Sequence, residues 1–307
     1  MLAGLGAACI ATSAILVELA ATGAATTAFY RCALALPLLG GLAVAEQRRH
    51  GRRSWAARRA AWAAGLFFAV DLVLWNHAIN LVGAGVATVL GNLQVLFVAL
   101  AAWLVFKERP TARFGVALPV VIGGVVLVSG LVGGPGVGNQ PLAGVLFGAS
   151  TSLAYAAFLL ILRHARGTAH VAGPLADATL GGATGALVLG GVFGSLDLAP
   201  GWRAIGWLAL LAFTSQSVGW WLITSSLPRL PSAVSSLLLL LQPVIALGLA
   251  ALVLGERPTW VQLVGALLIL AGVLVVARRS AAAVAVAVAA PGLEDGDVSG
   301  PASLRRA

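Results

Sequence analysis

Long apolar stretches alternate with short polar loops along almost the whole chain. A membrane-spanning helix needs about 20 apolar residues, and the hydropathy pattern predicts ten such spans. We place them at 2–22, 25–45, 61–81, 85–106, 113–132, 142–162, 173–194, 204–225, 232–254 and 260–278. Glycine and proline mark the connections between them, as at 133–136 and 199–201. The pattern therefore predicts an all-α integral membrane protein with ten transmembrane helices.

The chain also contains an internal repeat. Glu-Arg-Pro-Thr at 108–111 recurs at 256–259, and at the same offset Gln94 in span 4 corresponds to Gln242 in span 9. Five predicted spans separate the two copies, so the copies face opposite sides of the membrane. Inverted repeats are typical of secondary transporters, in which one site opens alternately to each side. We therefore predict two inverted five-helix repeats, at 1–132 and 142–279.

The composition fits a membrane protein and argues against a nucleic-acid partner. The chain is 60% hydrophobic and only 9% charged, with a mean hydropathy of +0.99, whereas about 25% charged residues is usual in soluble domains. The net charge of +9 sits in short loops between apolar runs. Six arginines fall within 46–59, so the positive-inside rule places this loop and both termini on the cytoplasmic side. We expect the membrane to be a bacterial inner membrane. We predict a disordered cytoplasmic tail over 280–307.

Asp71 is the sharpest candidate for transport chemistry. A charge at the bilayer centre costs on the order of 3 kcal/mol or more, so it needs a partner or a function. Asp71 lies near the middle of span 3, and Trp75 follows one helical turn later on the same face. A carboxylate beside an aromatic ring suits a cationic or amine-bearing substrate, and a carboxyl at that depth is a candidate proton carrier. The alternative is a hydrogen-bonded Asp71 that only joins helices.

Other polar residues inside the spans extend this candidate site. Glu18 and Arg31 lie in the outer thirds of neighbouring spans, so we expect an ion pair that acts in gating or coupling, or one that only fixes helix packing. Gln94 and Gln242 are expected to line the pseudo-two-fold centre. Pro243 has no N–H to donate and should disturb its helix. The remaining candidate substrate-binding residues are Asn76, Tyr155, Gln216 and Trp220.

Signatures of enzymes and metal sites are missing from the sequence. There is no Gly-x-Ser-x-Gly elbow and no His-Glu-x-x-His motif, and the four histidines form no pattern with cysteine or acidic residues. We therefore predict no catalytic residue, no metal and no cofactor. The expected partners are a small-molecule substrate and the lipid bilayer, and the sequence leaves open whether the chain forms a homodimer.

Several short motifs together resemble the drug/metabolite transporter superfamily, in its EamA-like branch. They are Phe-Tyr-Arg-Cys-Ala-Leu-Ala at 29–35, the run at 71–76, Val-Gly-Ala-Gly at 82–85, Asn-Leu-Gln at 92–94, and the Glu-Arg-Pro turns at 108–110 and 256–258. The resemblance covers roughly 1–279 and implies ten helices in two inverted five-helix bundles around a central cavity. It also implies export of metabolites, amino acids or drugs, either passive or coupled to protons.

Two functional hypotheses follow from these observations. The first is a secondary transporter that works by alternating access, with Asp71 and Trp75 touching the substrate. The alternative is a membrane scaffold or regulatory subunit that transports nothing, in which the buried polar residues only hold helices together.

Overall fold

The structure, a computed structural model, describes residues 2–106, 112–128, 140–165, 170–193, 196–226 and 232–289. Within these ranges the chain is all-α, as predicted: every regular element is a helix, and no strand is present. The Glu-Arg-Pro turn at 108–110 and the segment 290–307 lie outside the described residues.

The described residues form ten helical rods, each on one apolar stretch of the sequence. Seven rods are single helices: α2 (Ala24–His50), α3 (Trp55–Val82), α5 (Ala112–Val128), α6 (Pro141–Ala165), α7 (Ala172–Val192), α9 (Ser232–Val253) and α10 (Trp260–Ala289). Three are interrupted: α1 (Leu2–Ala11 and Ser13–Ala20), α4 (Ala84–Gly91 and Gln94–Phe106) and α8 (Trp202–Leu211, Ala212–Gly219 and Trp220–Ser226). In the described part of the chain, six rods are long and apolar enough to cross a membrane, namely α1, α2, α3, α4, α6 and α7.

Several helices continue past the apolar stretch that predicted them. α2 runs on through its arginines to His50 and stops at Gly51, whose φ of 83° favours glycine. α3 starts at the N-cap Ser54, whose hydroxyl accepts a hydrogen bond from Ala57 N at 3.2 Å. α10 extends to Ala289, into the segment for which the sequence predicts disorder. Hydropathy marks the apolar part of a helix, whereas its backbone hydrogen bonds mark its full length.

Two of the interruptions coincide with polar side chains that bond to the preceding helical turn. In α1, Thr12 Oγ1 donates to Cys9 O at 2.7 Å. In α4, Asn92 Nδ2 donates to Thr88 O at 2.9 Å. Side chains of this kind compete with the backbone for its carbonyls and bend or break helices. Both interruptions lie beside the cavity described below.

The third interruption is a π-helical segment in the middle of α8. It spans Ala212–Gly219, and Ser217 Oγ donates back to Ala212 O at 2.8 Å. π-helical segments are rare and occur frequently at functional sites. α9, by contrast, continues through Pro243, so the disturbance that we predicted at this proline does not end the helix.

The helices pair in a pattern that repeats with a shift of five. α3 packs against α6, and the helices at the equivalent positions of the other half, α8 and α1, also pack against each other. α2 packs against its counterpart α7, α4 against α9, and α5 against α10. Small residues bring the paired backbones together: a Cβ atom on Gly181 of α7 would collide with Trp62 O of α3. In α5 and α10, a Cβ on Gly124 would lie 2.7 Å from Gly265 O, and the reverse distance is also 2.7 Å.

The two halves of the chain share their hydrophobic cores. One cluster of buried residues includes Leu90 of α4, Val121 of α5 and Ile269 of α10. The second includes Leu39 of α2 and Phe158 of α6. Because each cluster draws on both halves, neither half buries its apolar faces alone.

Candidate functional site

A cavity of about 120 Å³ lies where α1, α2, α3 and α4 of the first half meet α6, α8 and α9 of the second. Most of the polar residues selected from the sequence line its wall. They are Arg31, Asp71, Trp75, Gln94, Tyr155, Trp220 and Gln242. The wall also includes Asn92, a further cavity candidate from the sequence, and three polar residues that the sequence reasoning did not select, Ser13, Thr88 and Thr151. The cavity therefore brings together side chains that are far apart in sequence and belong to both halves.

Asp71 is buried in this wall, and α6 holds its carboxylate in place. The residue is only 7% exposed. Thr151 Oγ1 lies 2.9 Å from Asp71 Oδ1 and 2.6 Å from Asp71 O, so the single hydroxyl proton is shared between the two acceptors. Thr151 is itself 2% exposed. The Thr151 hydroxyl of the second half thus fixes the orientation of the Asp71 carboxylate of the first half.

Arg31 is the second buried charge of the cavity. Its Nε donates to Gln216 Oε1 at 2.9 Å, and its Nη1 donates to Ser13 Oγ at 3.0 Å. The guanidinium carbon lies 5.9 Å from the centre of the Phe68 ring, within the range of a cation–π interaction. Gln216 is held in turn by Thr179, to which its Nε2 donates at 3.2 Å. Gln216 supports the site from behind, and it is not among the residues that line the cavity.

The cavity wall therefore carries one basic and one acidic side chain. Arg31 and Asp71 both line the wall and interact electrostatically. In the described part of the chain, however, the two charged groups form no ion pair with each other. A separated pair of opposite charges leaves each group able to bind a ligand group of the other sign.

The predicted ion pair between Glu18 and Arg31 does not form among the described residues. Arg31 bonds instead to Ser13, which precedes Glu18 by about 7.5 Å of helix rise. Glu18 is half-buried and lies within electrostatic range of Glu256. Arg31 therefore faces the cavity, whereas Glu18 is further along α1.

Asn76 also departs from its predicted place in the substrate site. Its Nδ2 donates to Leu72 O at 2.7 Å, within the same helix. The residue is 3% exposed, and it is not among those that line the cavity. It follows Asp71 on another face of α3, so its amide turns towards the helix backbone instead of the cavity.

Aromatic rings surround the buried charges. Phe68 stacks on Phe158 with ring centres 4.9 Å apart, and Trp220 lies 6.2 Å from Phe68 and 6.1 Å from Tyr155. Trp75 completes the aromatic lining. Sequence reasoning missed Phe68 and Phe158, because a phenylalanine in an apolar span carries no polar signal. Apolar rings beside a charge lower the local dielectric constant and so strengthen its electrostatic interactions.

Gln94 and Gln242, equivalent positions of the internal repeat, meet at the same cavity. Gln94 is the first residue of the second segment of α4, directly after the interruption at Asn92. Both amides therefore lie at a cavity that the two halves share. In the part of the chain that the structure describes, no group of three or more histidine, cysteine, aspartate or glutamate side chains could hold a metal ion.

Comparison with known proteins gives a family match and a fold match. The model of the EamA-like transporter family matches residues 1–130 and again 142–278. Among solved structures, 23 chains match. One of them, titled "Crystal structure of protein", is 20% identical, with alignment over 89% of this chain and 94% of that chain and a TM-score of 0.57. At that identity the likeness supports the fold alone. No match was found among curated proteins.

Proposed function

We propose that this chain, which belongs to the EamA-like transporter family, is a secondary transporter that moves small solutes through the cavity between its two halves. The observation that carries the proposal is the cavity wall, to which each half contributes polar groups. A site built from both halves can open alternately to each side when one half rocks against the other. A scaffold would need no such shared polar cavity.

We further propose that all ten rods span the membrane as two inverted repeats. Ten apolar rods, a helix pairing that repeats with a shift of five, and a family model that matches twice all support this arrangement. The arginines between α2 and α3 then place that loop and both termini on the cytoplasmic side of a bacterial inner membrane. The turn that contains Glu256 lies on the opposite side.

The charges of the cavity favour a solute that is itself a dipolar ion. Arg31 is suited to a carboxylate, and Asp71 beside Trp75 is suited to an ammonium group. At about 120 Å³, the cavity is smaller than the roughly 300–1,000 Å³ of pockets that hold drug-sized ligands. Among metabolites, amino acids and drugs, small metabolites of the amino-acid type fit best.

Asp71 also offers a route to proton coupling. Its carboxylate binds an ammonium group only when ionised, so solute and proton compete for the same group. A proton would displace the solute on one side of the membrane, and solute would displace the proton on the other side, so that the two are exchanged across the membrane. This step uses a single side chain, which Thr151 holds in place, and it needs no cofactor.

A ligand panel tests the proposal. Purified protein is melted in the presence of amino acids, nucleosides, sugars and organic cations; a ligand at about 100 times its Kd should add roughly 2.7 kcal/mol of stability. We expect dipolar amino acids to stabilise the wild type but not Asp71→Asn. Asp197→Asn is the matched control, because Asp197 is exposed and the hydrogen bond found for its carboxylate among the described residues is the one it accepts from Ala199 N, at 2.8 Å. Equal stabilisation of all three proteins would overturn the role given to Asp71.

A further inference from the structure

A second concave surface lies away from the central cavity, where the first turns of α3 meet α7. This groove, of about 870 Å³, is lined by Trp55, Arg58, Arg59 and Trp62 on α3 and by Asp177 and Leu180 on α7. It shares no lining residue with the central cavity. We propose that the groove binds the headgroup and upper acyl chains of an anionic phospholipid.

The charge of the groove is positive after its internal ion pairs are counted. Asp177 Oδ2 accepts from Arg53 Nη1 at 2.8 Å, and Arg58 Nε lies 3.5 Å from the same oxygen. Arg53, with a 3% exposed side chain, thus neutralises Asp177 from beneath the groove. Arg59 is exposed, and no hydrogen bond or ion pair is found for it among the described residues. Arg58 therefore only shares the Asp177 carboxylate with Arg53, and Arg59 adds a positive charge that pairs with no acidic group among the described residues.

Aromatic and apolar groups continue the groove along α3. Trp55 is 68% exposed, and Arg58 Cζ lies 5.9 Å from its ring centre. Trp62 is 39% exposed, four residues after Arg58 and hence about 6 Å further along the helix. Leu180 of α7, 42% exposed, faces the same space. Tryptophan side chains of this kind are enriched at membrane–water interfaces.

This order of groups matches a lipid better than a soluble anion. The arginines lie at the helix end that we propose faces the cytoplasm, and the exposed apolar residues follow towards the membrane interior. A phosphate would bind the arginines, and the acyl chains would lie against Trp62 and Leu180. The cytoplasmic leaflet carries anionic lipids, which attract such basic groups. Because α3 and α7 belong to different halves of the chain, the bound lipid would bridge the two halves.

Fluorescence quenching by brominated lipids tests this proposal. The purified full chain is placed in nanodiscs of phosphatidylcholine, and bromine-labelled phosphatidylglycerol or bromine-labelled phosphatidylcholine is titrated in. In the wild type, we expect the anionic lipid to quench the tryptophan fluorescence preferentially. In Arg58→Gln/Arg59→Gln, the preference for the anionic lipid should fall by roughly tenfold. The matched control is Arg48→Gln/Arg49→Gln, which removes two exposed arginines of the neighbouring α2 end. The control should keep the wild-type preference.

Three outcomes would overturn the proposal. The control could lose as much preference as the groove variant, which would indicate general charge attraction. The groove variant could keep the preference, which would place the lipid elsewhere. Millimolar inorganic phosphate could abolish the preference, which would identify an anion site that is not specific for lipid. If the double variant does not fold, Arg59→Gln alone repeats the test, because Arg59 is exposed and no hydrogen bond or ion pair is found for it among the described residues.

Discussion

Glu256 joins the two halves of the protein at the end that we propose faces outwards. Its carboxylate accepts from Ala84 N at 2.6 Å and from Gly85 N at 3.3 Å, so a residue of the second half caps the first turn of α4. A carboxylate at a helix N-terminus also interacts favourably with the helix dipole. If the halves rock apart at this end, the cap must break. Glu256→Ala should therefore favour the outward-open conformation.

The size of the effect follows from the two hydrogen bonds. A hydrogen bond to a charged group contributes about 1.5–3 kcal/mol, and the longer bond adds little. Glu256 is half-buried, so solvent screening brings the expected loss to about 1–2 kcal/mol. That loss corresponds to roughly 5- to 30-fold in a conformational equilibrium. Glu256→Gln keeps one acceptor oxygen and should show a smaller change.

Reactivity of a cysteine in the cavity measures this equilibrium. Gln94→Cys is introduced after Cys9 and Cys32 are replaced by alanine, and a membrane-impermeant maleimide is added to right-side-out vesicles. Adding Glu256→Ala should raise the labelling rate from outside by roughly 5- to 30-fold. Glu46→Ala is the control. Glu46 caps α7 at the other end, where it accepts from Val171 N at 2.6 Å and from Gly173 N at 2.7 Å.

The two caps should act differently. Glu46→Ala loosens the end that we propose faces inwards, so labelling from outside should not rise. If both variants raise outside labelling equally, the caps stabilise the fold without favouring either conformation. If Glu256→Ala leaves the rate unchanged while the protein stays folded, the cap does not need to break for the cavity to open outwards. Either result would refute the reasoning.

Three further predictions concern packing and the cavity. Gly181→Ala should destabilise the protein by about 1–3 kcal/mol in denaturant unfolding, because the new Cβ meets the backbone of α3. Gly191→Ala in the same helix places its Cβ in open space, so it should leave the stability unchanged or raise it slightly. Thr151→Val should weaken solute binding by about tenfold in a calorimetric titration, since a hydrogen bond to a charged group is lost. Ser150→Ala, at an exposed neighbouring position, should not weaken it. Arg31→Lys keeps the positive charge but loses the forked geometry of the guanidinium group. Solute binding in the same titration should therefore weaken, although the net charge of the cavity is unchanged.

The polar residues inside apolar stretches predicted much of the candidate site, because a buried polar side chain needs a polar partner or a cavity. Arg31, Asp71, Gln94 and Gln242 all line the cavity, as expected if a polar side chain at membrane depth must face a partner or a cavity. Thr151 was missed, although it lies in a Ser-Thr-Ser triplet at 150–152 that interrupts an apolar stretch. That triplet was a usable signal.

The rotation of each helix could not be predicted from one sequence. Glu18 and Arg31 lie on consecutive helices, which suggested a pair. The turn of α2 about its axis instead directs Arg31 towards Ser13 and Gln216. Only the packing of several helices sets this rotation, and no local pattern records it.

The helix interruptions were likewise not predicted from the sequence. Pro243 removes one hydrogen bond, but the α9 helix continues through it. The interruptions occur in α1, α4 and α8 instead, and two of them coincide with Thr12 and Asn92 bonding to the preceding turn. Threonine and asparagine occur in many uninterrupted helices, so their presence alone predicts little.

Solute counterflow tests the central claim most directly. Purified protein is reconstituted into liposomes loaded with an unlabelled dipolar amino acid, and uptake of the same labelled amino acid is followed. The account predicts uptake by the wild type and by Asp197→Asn, and its loss in Asp71→Asn. Two results would contradict transport through this cavity. In the first, none of the folded proteins takes up any solute that stabilises the wild type. In the second, all three proteins take up the solute equally.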